Sequence, residues 1–196
     1  MVGATDPLVG LRARTAILHR QLESATAFSR LMQDDIGPDD IARALILFHV
    51  FYDGLEQVLL PRLENSSHAS LYRPRRALLA GDLARLGHLP PAAMSVDLPG
   101  TEAGLLGVIY AVEGSALGGQ VLARHLMARL GGEFAAKLTY FTDLAAGCGA
   151  HWQGVLSALR QVLVDEDSLD EVSAGASLVF SSLIHLADRE RPDGLG

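Results

Sequence analysis

The segment from Thr101 to Leu130 repeats apolar residues at helical spacing, yet it carries glycine at 104, 107, 114, 118 and 119. Each glycine inside a helix costs about 0.8–1.0 kcal/mol relative to alanine, so this many of them ask for a reason. At about 100° per residue, positions 104, 107, 111, 114, 115 and 118 fall on one side and hold Gly, Gly, Ala, Gly, Ser and Gly. One face of this helix is therefore almost bare main chain. Such a face suits either a second helix packing closely or a flat ligand. The adjacent Gly118 and Gly119 also invite a kink that would open backbone groups.

The rest of the chain reads as helices with short connections, and no strand-like alternation stands out. Asp6 and Pro7 open a first helix that sets Leu8, Leu11, Thr15, Leu18 and Leu22 on one face. Gly37-Pro38-Asp39-Asp40 opens a second, apolar on most sides and therefore central, which Pro61 should end or kink. A more basic segment, 70–86, leads to the Pro-rich stretch 89–100, read as a long loop acting as hinge or crossover. Gly131-Gly132 stops the glycine-rich helix, and another is expected over 133–163 with a break near Gly147 and Gly149. Ser168 to Glu171 fits a capping box for a last helix that ends near Pro192.

With 196 residues, 49% of them hydrophobic, the chain can bury one substantial core, and one domain over 1–196 is expected, with flexible polar ends at 1–6 and 191–196. A net charge of −7 without a basic run argues against nucleic acid as a partner. The longest apolar stretch, Ala44 to Tyr52, is broken by His49 and falls far below the ~18 residues of a membrane span. The start MVGATDPLVGLRART is not built like an export signal, so a cytoplasmic protein is expected. The lone Cys148 has no disulfide partner in the chain and reads as a small apolar helix residue.

Polar chemistry concentrates on the first helix. Glu23 follows His19 by four residues and Arg12 precedes it by seven, placing all three near one face. A carboxylate at that spacing can hold one imidazole nitrogen and leave the other free for a metal. Arg12, about 10 Å along the axis, could meet an anionic group at the edge of a large ligand, a distance that suits a porphyrin carboxylate. Haem between this helix and the bare face would satisfy both features. A different metal face is conceivable at His49, Asp53 and Glu56 on the second helix, as in non-haem iron oxidases. The Glu-x-x-His pairs of di-iron bundles are missing, however, and Glu64 to His68 has the wrong interval, so an ordinary buried polar cluster is the plainer reading. His68, His88, His125, His151 and His185 have no distinguishing spacing.

LRARTAILHRQLE, from Leu11 to Glu23, resembles the proximal helix of haem oxygenases. GVIYAVEGSALGGQ, from Gly107 to Gln120, resembles their distal helix, in the soluble bacterial branch found with bacterial phytochromes. The order of segments also fits through the aromatic helix with Tyr140, Phe141 and Trp152 and the final helix with Phe180. The resemblance implies an all-α, single-domain haem oxygenase-like bundle, with haem between a proximal N-terminal helix and a Gly-rich, kinked distal helix. It implies that His19 is the axial ligand of the haem iron, Glu23 its hydrogen-bond partner, and Gly114 and Gly118 the backbone crossing the distal face. Arg12, Lys137 and Tyr110 would lie near the propionates, and Phe180 would line the haem site.

By the same resemblance, haem is substrate and prosthetic group at once. O2 and electrons from a ferredoxin or NAD(P)H-dependent reductase would convert it to biliverdin, CO and Fe²⁺, and a bacterial phytochrome could receive the biliverdin. A neutral imidazole lacks the electron push of a thiolate, which keeps hydroxylation of the porphyrin open. One departure concerns proton delivery. Many family members place Asp directly after the first distal glycine to organise water, whereas this chain has Ser115, whose hydroxyl can hold a water but adds no charge. Glu113, two positions away, points elsewhere on an ideal helix. A carrier that binds haem or a bilin without activating oxygen is the reading that this departure would favour.

Overall fold

A computed structural model describes residues 6–189. The expected tail 191–196, the stop near Pro192 and residues 1–5 lie outside the described residues. Within them the chain is helical, without strands. Helix α1 (Pro7–Ser24) starts as expected, with the Asp6 carboxylate accepting from the Leu8 amide at 3.1 Å and Leu8, Leu11 and Thr15 turned inward. A single turn, α2 (Thr26–Ser29), and a 3₁₀ turn lead to α3 (Pro38–Leu63), where the Asp40 carboxylate accepts from the Gly37 amide at 3.1 Å. Pro61 lies inside α3, which ends two residues later at Leu63.

The basic segment forms α4 (Arg76–Arg85). The Pro-rich stretch is a crossover strapped along α3: the Met94 amide donates to the Val50 carbonyl at 3.1 Å, and the Met94 carbonyl lies where a side chain at Gly54 would stand. Helix α5 (Glu102–Leu130) is capped by the Thr101 hydroxyl and stopped at Gly131, whose φ of +78° suits glycine. It runs without interruption through Gly118 and Gly119, so the backbone groups that a break would open stay inside the helix.

Two boundaries differ from the sequence reading. The single interruption expected in 133–163 is two, giving α6 (Gly132–Ala135), α7 (Thr139–Ala145) and α8 (Cys148–Val162). The unexpected break, before Thr139, is made from a distance: the buried Asp82 carboxylate on α4 accepts from the Thr139 amide at 2.9 Å, the Thr139 hydroxyl at 2.6 Å and the Tyr140 amide at 2.8 Å, starting a new helix there. The last helix, α9 (Glu166–Arg189), begins a turn before the expected box. Asp165 accepts from the Ser168 amide at 2.8 Å while the Ser168 hydroxyl accepts from the Asp165 amide at 3.2 Å, so Ser168 is the last residue of the box and not its first.

Helices α1 and α5 both pack on α9. The approach of α5 to α9 is made backbone to backbone, because a Cβ at Gly107 would lie 2.0 Å from the Val172 carbonyl oxygen and one at Gly175 1.9 Å from that of Gly104. Helices α3 and α5 are each long and apolar enough to cross a membrane, but 56% and 50% of their most apolar windows are buried inside this fold. Their apolar character serves the core.

Candidate functional site

On α1 the imidazole and carboxylate predicted to pair do so, with His19 Nδ1 3.4 Å from Glu23 Oε1. Both side chains are solvent-accessible, His19 by 56%. From α9 the Phe180 ring meets His19 edge-on, with centroids 5.6 Å apart and planes at 72°. The imidazole is thus held on one side by a carboxylate and on another by an aromatic edge, and it still faces open space. Arg12 is exposed two turns earlier on the same face. Between them Thr15 is buried and donates to the Leu11 carbonyl at 2.9 Å.

Tyr110 brings α5 to α1. Its ring packs on Trp152 at 5.4 Å, and its hydroxyl sits beside that of Thr15. Burial raises this phenol above its ordinary range, against the opposing pull of Thr15 and of the Arg12 charge. One turn on, a Cβ at Gly114 would touch the Trp152 ring at 3.3 Å, and the Ser115 hydroxyl donates to the Val112 carbonyl at 2.7 Å. A Cβ at Gly118 or Gly119 would meet nothing within 4 Å. Beside these glycines Leu117 and Val121 leave apolar side chains in solvent, 37% and 50% exposed.

The bare face of α5 therefore has two uses. Its first turns are covered, Gly104 by Pro99 and Gly107 by α9, Gly114 lies against Trp152 of α8, and the stretch at Gly118 and Gly119 is open to a ligand. Lys137 is exposed in the turn between α6 and α7, with its carbonyl accepting from Arg85 Nε at 3.1 Å. A shallow cavity of about 390 Å³ between α5 and α7, lined by Gln120, Arg124 and Thr142 among others, opens on the other side of α5 from Gly118.

The metal face considered on α3 does not exist. Glu56 is saturated by the Tyr72 hydroxyl at 2.9 Å and the Arg75 amide at 2.5 Å, and Asp53 is taken by Arg76 at 3.2 Å. His49 is buried with Nδ1 unpartnered, and burial lowers its pKa. Among the described residues no group of three His, Cys, Asp or Glu side chains could hold a metal ion.

Sequence reasoning missed a buried ionic network behind the distal helix. Glu113 is fully enclosed and accepts from Arg75 Nη1 at 2.8 Å, Arg73 Nε at 3.0 Å and the Arg73 amide at 3.0 Å, with His151 Nε2 at 3.2 Å. The Arg75 guanidinium lies between the Tyr52 and Tyr72 rings, 5.4 and 5.5 Å from their centroids. A signal was present: a lone carboxylate in the apolar run around Val112 demands a buried cation, and Arg73, Arg75 and Arg76 supply a dense cationic stretch.

The sequence profile of the Heme oxygenase family matches residues 7–189. The chain belongs to the haem oxygenase family. It is an enzyme that degrades haem. A heme oxygenase of Xanthomonas campestris pv. campestris (strain 8004) is 35% identical over 159 residues, covering 77% of this chain and 90% of that one. Among solved structures, the heme oxygenase of Leptospira interrogans superposes with a TM-score of 0.71 at 18% identity, covering 94% of this chain and 100% of that one. The NO- and CO-bound heme oxygenase of Neisseria meningitidis gives 0.70 at 21% identity, with 98% and 99% covered. At such identities the two structures speak for the shared all-α fold. The residues of this haem oxygenase fit its substrate: an accessible imidazole oriented by a carboxylate, a stretch of helix without side chains, and exposed apolar residues beside it.

Proposed function

We propose that haem binds between α1 and the open part of α5, with His19 Nε2 as its iron ligand, and that it is cut to biliverdin, CO and Fe²⁺. When bound, haem supplies both the iron that activates O2 and the porphyrin that is opened. The observation carrying this reading is His19: Glu23 holds Nδ1, Phe180 fixes the ring edge-on, and Nε2 stays free for the iron.

Around it each chain group has one task. Arg12 meets a propionate by charge, and Tyr110, with a phenol kept neutral by burial, donates beside it. Lys137 reaches toward the second propionate from the turn before α7. Leu117 and Val121 cover the macrocycle and exclude water, and Phe180 packs at its proximal side. Gly118 lets the main chain come close, and neither it nor Gly114, against Trp152, offers a side chain to the iron. Ser115 holds a water on that side. O2 is the co-substrate, and a separate ferredoxin or NAD(P)H-dependent reductase supplies the electrons. The branch that the motifs resemble makes a bacterial phytochrome the recipient of biliverdin and the cytoplasm the place of action.

His19→Ala tests the ligand directly. The variant is expected to bind ferric haem with a displaced Soret band and to convert it at least about 100-fold more slowly, the scale on which losing a metal ligand or its support acts. Added imidazole should restore the band. A wild-type spectrum and rate in His19→Ala would remove His19 from the site.

A further inference from the structure

The Val112 carbonyl, one turn before Ala116 on α5, has more donors than a carbonyl ordinarily serves. The Ser115 hydroxyl donates to it at 2.7 Å and Arg75 Nη2 at 3.2 Å, and the helix directs the Ala116 amide at the same oxygen. A carbonyl oxygen has two lone pairs, so three donors compete. The amide is fixed by the helix. Arg75 is equally fixed, because its side chain is wholly buried, Nη1 is bound by Glu113 at 2.8 Å, and its plane is held between Tyr52 and Tyr72. Ser115, exposed on α5, is the one that can turn, although its hydroxyl also lies beside that of the buried Tyr52.

We infer that Arg75 is a positioning residue for haem cleavage: it occupies the Val112 carbonyl and so frees the Ser115 hydroxyl to turn and donate a hydrogen bond toward the distal side of haem. This rests on the reading above that Ser115 faces the substrate. It supplies what serine lacks in place of an acid, since a hydroxyl fully committed to its own helix could only accept. The groups facing Arg75 are Glu113, the Arg73 carbonyl, Tyr52, Tyr72 and, through its amide, Glu56, with the Arg73 side chain and His151 closing the far side of Glu113. None of them reaches the Val112 oxygen in its stead.

Arg75→Lys keeps the charge but cannot serve Glu113 and Val112 together. In single-turnover conversion of bound haem it is expected to slow the reaction roughly 3- to 10-fold, the size of one hydrogen bond, with haem affinity unchanged. Combined with Ser115→Ala it should cost less than about 1.5-fold beyond Ser115→Ala alone, because both changes remove one interaction. In haem-free Ser115→Ala protein with carbonyl-labelled valine, where no hydroxyl can take the vacated place, the Val112 carbon resonance, assigned by its loss in Val112→Ile, should move to higher field when Arg75→Lys is added. An equal loss in both backgrounds, or an unmoved resonance, overturns the role of Arg75. Wild-type conversion by Ser115→Ala overturns the reading of Ser115 and this inference with it. Should Arg75→Lys not fold, Ser115→Thr tests the same geometry, since its stiffer χ1 pins the hydroxyl to the helix. Slowing to the Ser115→Ala rate supports the inference, and a wild-type rate overturns it.

Discussion

Gly107→Ala is expected to leave the chain unable to fold or to melt roughly 10 °C or more below the wild type. The added Cβ would stand 2.0 Å from the carbonyl oxygen of Val172 and 2.8 Å from its carbon, far inside ordinary contact. Both atoms are backbone of α9, so no rotamer change relieves the clash and the two helices must part. Overpacking of this kind costs about 3 kcal/mol or more, because the separation also disturbs Val108, Ala176 and Val179 in the same interface. Gly175→Ala should behave alike, with the Gly104 carbonyl oxygen 1.9 Å from its Cβ. Gly118→Ala is the control with opposite sign. Nothing lies within 4 Å of its Cβ, so helix propensity alone should raise the melting temperature by roughly 2–4 °C. The same Cβ would stand where haem approaches the main chain, so conversion should fall as stability rises. Thermal melts with haem titrations check all three, and a Gly107→Ala protein that melts like the wild type would refute the packing described here.

Glu113→Gln is expected to cost about 3–5 kcal/mol at neutral pH, since it leaves the buried Arg75 cation without its counter-charge. The pH dependence identifies the source. Burial on its own would raise the Glu113 carboxyl, but Arg75, by charge and hydrogen bond, and then Arg73 outweigh it and hold the group below its ordinary 4.5. A carboxyl with a depressed folded value contributes stability above its unfolded value and loses it as pH falls through the folded one. The gap between wild type and Glu113→Gln in urea should therefore be widest at neutral pH, begin to close below 4.5, and shrink further in acid. A gap that stays constant from neutral to acid pH would show that the loss is one of shape rather than charge.

What the sequence made legible was local. Asp6 with Pro7, Thr101 and Gly131 mark helix ends through contacts within a few residues, and His19 with Glu23 pair across one turn, so spacing alone finds them. What it hid depends on segments meeting from afar. Glycine spacing does not separate Gly107 from Gly118, because the difference lies in α9 arriving with its own Gly175. The start of α7 is set by Asp82 on α4, and nothing near Thr139 announces it. At the last helix two acid and hydroxyl pairs three residues apart both fit a capping box, and the earlier one prevails where Leu169 packs on Gly10 of α1. The network of Glu113, Arg73 and Arg75 joins α5 to the segment before α4 and was visible only as an isolated charge.

Haem is expected to bind this chain at His19 and to be opened there. The most direct measurement is an absorption-monitored titration of the purified protein with ferric haem, followed by an electron donor in air. A Soret band that saturates at one haem per chain and then decays into a bilin spectrum with release of CO is the predicted result. A stable Soret band under a donor that works for another haem oxygenase would leave a carrier in place of an enzyme, and no Soret binding at all would contradict the account.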